Sequence, residues 1–143
     1  MHAVQLWFRV KIILLVDDDE LLRESLGLAL RRSGYCVIEA DDGAAGFEMA
    51  RRHHPDLILS DIDMPGGDGA SLLRDIRSDS KLKSRQVVMM SGKPDLITPC
   101  KSMEEGADDF LAKPFSLEVL LGCMEARLSH ASIGWRGEGQ MAA

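Results

Sequence analysis

Five times between residues 10 and 129, a short apolar run gives way to a stretch whose apolar residues recur at helical spacing. That alternation constrains the fold more than any other feature. Five strand–helix units in series imply one parallel sheet with helices packed on both faces, a doubly wound α/β architecture. The first run, Lys11-Ile-Ile-Leu-Leu-Val16, is apolar without polar alternation and reads as a strand buried on both sides. Leu22, Leu26, Ala29 and Leu30 then fall at helical spacing, and Gly34 closes that helix. Tyr35 to Ala40 reads as a second strand, and Asp41-Asp42-Gly43 turns the chain into a helix carrying Ala44, Phe47 and Ala50. Pro55 precedes a third strand, Asp56 to Ser60. The turn-rich loop Met64-Pro-Gly-Gly-Asp-Gly69 follows Asp61 and leads to a helix with Leu72, Leu73 and Ile76. Ser78 to Ser84 reads as a loop and Gln86 to Met90 as the fourth strand. The next helix, Asp95 to Glu105, tolerates Pro99 only near its first turn. Asp109 to Ala112 is the fifth strand, and a last helix places Leu117, Leu120, Leu121, Met124 and Leu128 on one face.

A chain of 143 residues holds one such domain, not two. The pattern predicts an N-terminal extension over 1–9, the domain over 10–129 and a flexible tail over 130–143, which carries Gly134, Gly137 and Gly139. Trp7 and Phe8 either pad the sheet edge or belong to an ill-defined start. Seventeen Lys and Arg against 23 Asp and Glu give a net charge of −6 with no basic run. That argues against direct nucleic-acid binding by this chain, which needs cationic contacts to phosphates, and against an acidic partner surface. Cys36, Cys100 and Cys123 are odd in number and widely spaced. They read as buried or semi-buried apolar residues of a reducing compartment, not as a disulfide or zinc framework. The apolar run from Val10 to Val16 is too short for a signal or a membrane span, so a cytoplasmic location with no membrane partner is expected.

The informative polar residues fall at strand ends. Asp17 and Asp18 follow the first strand, Asp61 the third, Ser91 the fourth and Lys113 the fifth. In an open parallel sheet the carboxyl ends of all strands share the edge where ligands bind, so these residues converge on one cleft. Three converging carboxylates repel: at an effective dielectric near 20, each pair at about 4 Å costs roughly 4 kcal/mol. Either one stays protonated or a cation sits among them. A few hard oxygen ligands at an open edge favour Mg²⁺; calcium wants more ligands, and zinc wants His or Cys. A cation with open positions and a nearby ammonium suits a phosphoryl group attacked by a carboxylate, with the serine hydroxyl donating to a phosphoryl oxygen.

Val16-Asp17-Asp18, Ser60-Asp61-Ile62-Asp63-Met64-Pro65 with Gly69, Met90-Ser91-Gly92 and Ala112-Lys113-Pro114-Phe115 together resemble the signature of response-regulator receiver domains. Ser91 follows Asp61 by 30 residues and Lys113 follows Ser91 by 22, which also agrees. The resemblance covers residues 10–129 and implies a flavodoxin-like five-stranded sheet of order 2-1-3-4-5 with five helices. It implies that Asp61 takes a phosphoryl group, with Mg²⁺ as cofactor, from the phosphohistidine of a sensor histidine kinase or phosphotransfer protein, or from a small acyl phosphate. Asp18 would ligate the Mg²⁺ directly, Asp17 mostly through water, Asp61 through its carboxylate and Asp63 through its backbone carbonyl. Lys113, Ser91 and the Gly92 backbone would contact the phosphoryl group. Ser91 and Phe110 would change position together, altering a surface that controls a partner or output domain. The Lys113-Pro114 bond would be cis, and Gly69 would supply a backbone conformation that a Cβ disfavours.

Ser91 stands where Thr is commoner in that family and keeps the hydroxyl, whereas Phe110 lacks the phenol of the usual Tyr. Asp63 and Lys93 occupy two variable positions that in the family tune phosphoryl lifetime. A carboxylate at Asp63 could repel a phosphoryl group or orient water, which act in opposite directions.

Other acidic residues have plainer readings. Asp19 and Glu20 suit a helix N-terminus; Asp41, Asp42 and Asp68 suit turns; Asp108 and Asp109 suit a surface or sheet edge. His53 and His54 are assigned no chemistry. Two rival functions use the same residues. A haloacid-dehalogenase-type phosphatase would employ Asp61-Ile-Asp63, Ser91, Lys113 and Asp108-Asp109. However, its nucleophile should end the first strand, its acidic pair should follow the lysine, and Asp17-Asp18 would have no role. A receiver-like docking module would keep the same residues without phosphorylating and act by binding alone; that every chemical residue is present argues against it. No output domain is read after residue 129. The last helix has Cys123 and Glu125 where the basic partners of a regulator dimer would stand, so that dimer is not expected.

Overall fold

A computed structural model describes residues 9–65, 69–93, 95 and 97–142. Five strands form one sheet of order β2-β1-β3-β4-β5, all neighbours parallel. They are β1 (Ile12–Val16), β2 (Cys36–Ala40), β3 (Leu57–Asp61), β4 (Gln86–Ser91) and β5 (Asp109–Ala112), with helices α1 (Glu20–Arg32), α2 (Gly43–His53), α3 (Gly69–Ser78), α4 (Ile97–Glu104) and α5 (Leu117–Ala142). The architecture and strand order are those expected from the alternation and the resemblance.

The apolar runs of β1, β3 and β4 make sense because both sides of the sheet are covered. Leu14, Val16, Ile58, Val87 and Met89 pack with Ala50 of α2 and Leu72, Leu73 and Ile76 of α3. The alternate residues Ile13, Leu15, Leu57, Leu59, Val88 and Met90 pack with Leu30 of α1 and Leu120 and Met124 of α5. Each central strand therefore feeds two cores, and a polar residue inside one would have no wet side to face.

The ends of the elements have local causes. Asp19 accepts from Leu22 N at 3.1 Å and caps α1; Asp42 accepts from Ala45 N at 2.7 Å and caps α2. His54 closes α2 with a left-handed backbone, and Gly34, at φ 100°, follows the end of α1. Asp95 accepts from Thr98 N at 2.7 Å just ahead of α4, where Pro99 lies in the first turn.

Some expectations need correction. Cys36 and Cys100 are exposed, because Cys36 opens an edge strand and Cys100 lies on the outer side of α4; of the three cysteines only Cys123 is half-buried. Asp108, just ahead of the edge strand β5, also has a structural part: it accepts from Val87 N at 2.7 Å and from Arg77 at 2.8 Å. Arg77, which has no motif to single it out, also donates to the carbonyls of Gly106, Lys83 and Arg85, fastening α3 to the approaches of β4 and β5. The last helix spans Leu117–Ala142. Trp7, Phe8 and Asp68, which suit an edge or a turn by sequence, lie outside the described residues.

Candidate functional site

The sheet order reverses direction between β1 and β3, and at such a switch point the chain leaves a crevice beyond the strand ends. Register sets what stands in it. Val16 pairs with Ser60, so Asp17 comes level with Asp61 on the neighbouring strand. Asp61 pairs with Met90 and Ser91 with Ala112, so Ser91 and Lys113 arrive at the same edge. Lys113 N donates to Ser91 O at 2.8 Å, tying the two strand ends together.

Asp17, Asp18 and Asp61 each offer a carboxylate oxygen, and these oxygens lie within 4.8 Å of one another. Asp17 is fully buried, Asp61 is 5 % exposed and Asp18 is exposed. Two buried carboxylates face one cation: Lys113 Nζ lies 2.8 Å from Asp17 Oδ2 and 3.5 Å from Asp61 Oδ1. Asp17 is braced further by Asp19 N, which donates to its Oδ1 at 2.9 Å. Arg23 donates to the Asp17 carbonyl at 2.8 Å while pairing with Glu39 at 3.2 Å. Arg23 carries no signal in the sequence beyond its place on α1.

The charge balance shifts the proton affinity of these groups. Burial pushes the Asp61 carboxyl up to about 6; Lys113 opposes this shift and the negative Asp17 adds to it. Burial pulls the Lys113 ammonium down, but its hydrogen bond to Asp17 and the charge of Asp61 outweigh that, and its pKa is raised. One lysine thus leaves Asp61 under-neutralised. The group is all oxygen, without His or Cys, and carries more negative charge than its cation cancels. It fits a small hard divalent ion with open coordination positions.

Without metal, stability should depend on pH through Asp61. The folded carboxyl titrates at about 6, above its ordinary 3.8, so the folded state binds the extra proton in that window. Stability is then full below the lower value and lost as pH rises toward the upper one. Asp61→Asn removes the titration. In chelator-containing urea melts it should flatten the fall between those pH values and be more stable than wild type above them, by on the order of 2 kcal/mol. Parallel pH profiles for the two proteins would contradict this.

Ser91 is fully buried at the end of β4, and its hydroxyl is turned to Asp63: Ser91 Oγ donates to Asp63 Oδ2 at 2.9 Å. The other oxygen, Asp63 Oδ1, lies 3.2 Å from Lys93 Nζ. Asp63 N approaches Asp61 Oδ1 at 3.4 Å. The Asp63 side chain therefore neither faces Asp61 alone nor stands free. Phe110 is partly buried on β5 and packs against the core on the α2–α3 side. Gly92 is exposed immediately after β4. The Lys113-Pro114 peptide is cis.

Gly69 is required for a different reason from the one expected. Its φ does not lie in the left-handed region. A Cβ there would instead overlap the Asp61 carbonyl oxygen and come within 2.8 Å of Ile62 Cα. Gly69 N also donates to Ile62 O at 3.0 Å, so the start of α3 closes directly onto the end of β3.

A family model described as "Response regulator receiver domain" matches residues 13–125. "Transcriptional regulatory protein CseB" of Streptomyces coelicolor is 42 % identical over 134 residues, covering 92 % of this chain and 56 % of that protein. "DNA-binding response regulator MtrA" of Mycobacterium tuberculosis is 37 % identical over 116 residues, covering 81 % of this chain and 50 % of that protein. The chain spans about half the length of these curated relatives. Among solved structures, a CheY-like response regulator receiver domain protein from Methanospirillum hungatei superposes with a TM-score of 0.82 at 27 % identity, covering 87 % of this chain and 98 % of that one. The chemotaxis protein CheY4 of Vibrio cholerae does so with a TM-score of 0.79 at 28 % identity, covering 82 % and 98 %.

Proposed function

We propose, since the chain belongs to the response-regulator receiver domain family, that it is a signalling switch whose phosphoryl acceptor is Asp61. The observation that carries this reading is the pairing of a nearly buried, under-neutralised carboxylate with Lys113 and two further carboxylates at one strand edge. An Asp61 oxygen attacks phosphorus of a phosphohistidine or small acyl phosphate, the donor's P–N or P–O bond breaks, and an acyl phosphate forms on Asp61. Asp17, Asp18 and Asp61, with the Asp63 backbone carbonyl, would hold Mg²⁺. When bound, that ion neutralises charge on the transferring oxygens. Lys113 exchanges part of its contact with Asp17 for a phosphoryl oxygen, and Gly92 offers its backbone N–H.

Phosphorylation adds about −1.5 to −2 charge units. Ser91 turns toward it and Phe110 repacks, so the surface from α4 to α5 shifts its preferred state. Inverting a 1:99 population takes roughly 5.5 kcal/mol, and one charge-assisted hydrogen bond gives only about 1.5–3. Lys113 and the repacking around Phe110 must supply the rest, or the switch is partial.

The donor in this reading is a sensor histidine kinase or phosphotransfer protein. A groove of about 430 Å³ lined by Leu22, Leu26, Gly92, Lys113, Pro114 and Phe115 is almost wholly apolar and adjoins the acceptor edge, which suits a docked donor helix. None of the described helices is long and apolar enough to cross a membrane, and we place the protein in the cytoplasm, where such donors act. The controlled output belongs to whatever partner or domain reads the α4–α5 surface.

The test is intact-mass measurement after incubation with a small acyl phosphate. Wild type should gain a single phosphoryl group in Mg²⁺ and none in chelator, and Asp61→Asn should gain none. An adduct of equal yield in the variant would sink the assignment. Steady turnover of phosphate monoesters would favour the phosphatase chemistry instead.

A further inference from the structure

We propose that the Asp63 carboxylate is a latch on Ser91, holding the switch hydroxyl in its resting position and opposing the phosphorylated state. This rests on the reading of Asp61 as acceptor and Ser91 as switch, and it assigns the Asp63 side chain a positioning role separate from its backbone carbonyl.

The hydroxyl's connections are the reason. A serine hydroxyl has one hydrogen to donate. Here that hydrogen goes to Asp63 Oδ2 at 2.9 Å, while the oxygen accepts from Lys93 N at 3.1 Å. Ser91 is fully buried, so in this position water does not reach its hydroxyl to compete with these partners. To donate to a phosphoryl oxygen on Asp61, Ser91 must first release Asp63. The same proton cannot serve both acceptors. The latch is charge-assisted, hence stronger than a bond between neutral groups.

Lys93 sets how firmly the latch is held. Its Nζ lies 3.2 Å from Asp63 Oδ1, the oxygen not used by Ser91, which orients the carboxylate. Its backbone N–H positions the Ser91 oxygen from the other side. The Lys93 side chain is largely exposed and that of Asp63 about one-third exposed, so this end of the latch is open to whatever packs beside it, whereas the Ser91 end is sealed. Lys113 N donates to the Ser91 carbonyl, so the strand end that carries the second phosphoryl contact is tied beside the latch.

Removing the Asp63 carboxylate should therefore favour the switched state, but it also removes a negative charge near the acceptor. A double-mutant cycle separates the two effects. Affinity for beryllofluoride, a phosphoryl mimic, is measured by titration in Mg²⁺ for wild type, Asp63→Ala, Ser91→Ala and the double variant. Loss of charge acts whether or not the serine is present, whereas loss of the latch acts only when the hydroxyl is there to be freed. Asp63→Ala should tighten binding by about 10–150-fold more when Ser91 is intact than when it is combined with Ser91→Ala, the ratio that one charge-assisted hydrogen bond is worth. Asp63→Asn keeps an accepting oxygen and should show a smaller Ser91-dependent gain. Equal gains in both backgrounds would overturn the latch while leaving the acceptor reading intact. A wild type that takes no beryllofluoride would overturn the acceptor reading and the latch with it.

Discussion

Lys113→Met is expected to slow acyl-phosphate uptake by roughly 10²–10³-fold, the usual cost of removing one positioned donor from developing negative charge. It should also lower stability in metal-free buffer by about 3 kcal/mol, because a fully buried Asp17 and a nearly buried Asp61 lose the cation they share. Methionine fills a similar length, so the loss reports charge rather than a void. Burial already pushes Asp61 up to about 6 against the pull of Lys113, and without that pull its pKa must rise further. The stability deficit should consequently be greatest near neutral pH and shrink toward acid, where Asp61 takes a proton. Added Mg²⁺ should restore part of the stability but little of the rate. Chemical denaturation with and without chelator, paired with uptake measured by intact mass, checks both halves. Wild-type stability without metal would show that Asp17 and Asp61 do not depend on this ammonium.

Gly69→Ala is the second large effect expected. The new methyl would meet backbone, not a side chain that could swing away: the Asp61 carbonyl oxygen and Ile62 Cα, the latter at 2.8 Å. Relief requires moving the start of α3 away from the end of β3, which breaks the 3.0 Å bond from Gly69 N to Ile62 O. Overpacking of this kind costs about 1–3 kcal/mol, and here the displaced backbone is that of the acceptor itself. Both the unfolding midpoint and the rate of phosphoryl uptake should fall. A variant that loses stability while taking up phosphoryl at the wild-type rate would mean that Asp61 is positioned independently of α3.

What the sequence shows and what it conceals divide along physical lines. Uninterrupted apolar runs such as Ile12 to Val16 reveal a strand covered on both faces, and five βα units leave few topologies open. Strand ends in a parallel sheet share an edge, so Asp17, Asp61, Ser91 and Lys113 come together from their positions in the chain alone. Contacts set by side-chain rotamers are not legible. Nothing in the order of residues says that Ser91 donates to Asp63, or that Arg77 gathers three carbonyls and Asp108. Gly69 stands out as necessary in the sequence, but a close backbone approach within one loop leaves no periodic trace, so the motif suggests a conformational cause where the structure has a steric one. Composition places Cys36 and Cys100 deeper than they lie, because it cannot tell an edge strand or an outer helix face from a core.

The central claim is that one carboxylate, Asp61, carries the phosphoryl group. An acyl phosphate is reduced by borohydride to the alcohol, so the acceptor aspartate becomes homoserine at its own position. Peptide mapping after acyl-phosphate treatment in Mg²⁺ and borohydride reduction should find homoserine at residue 61 alone, and none when Mg²⁺ is chelated. Homoserine at position 17, 18 or 63, or an unmodified Asp61 in protein that had gained phosphoryl mass, would contradict the account.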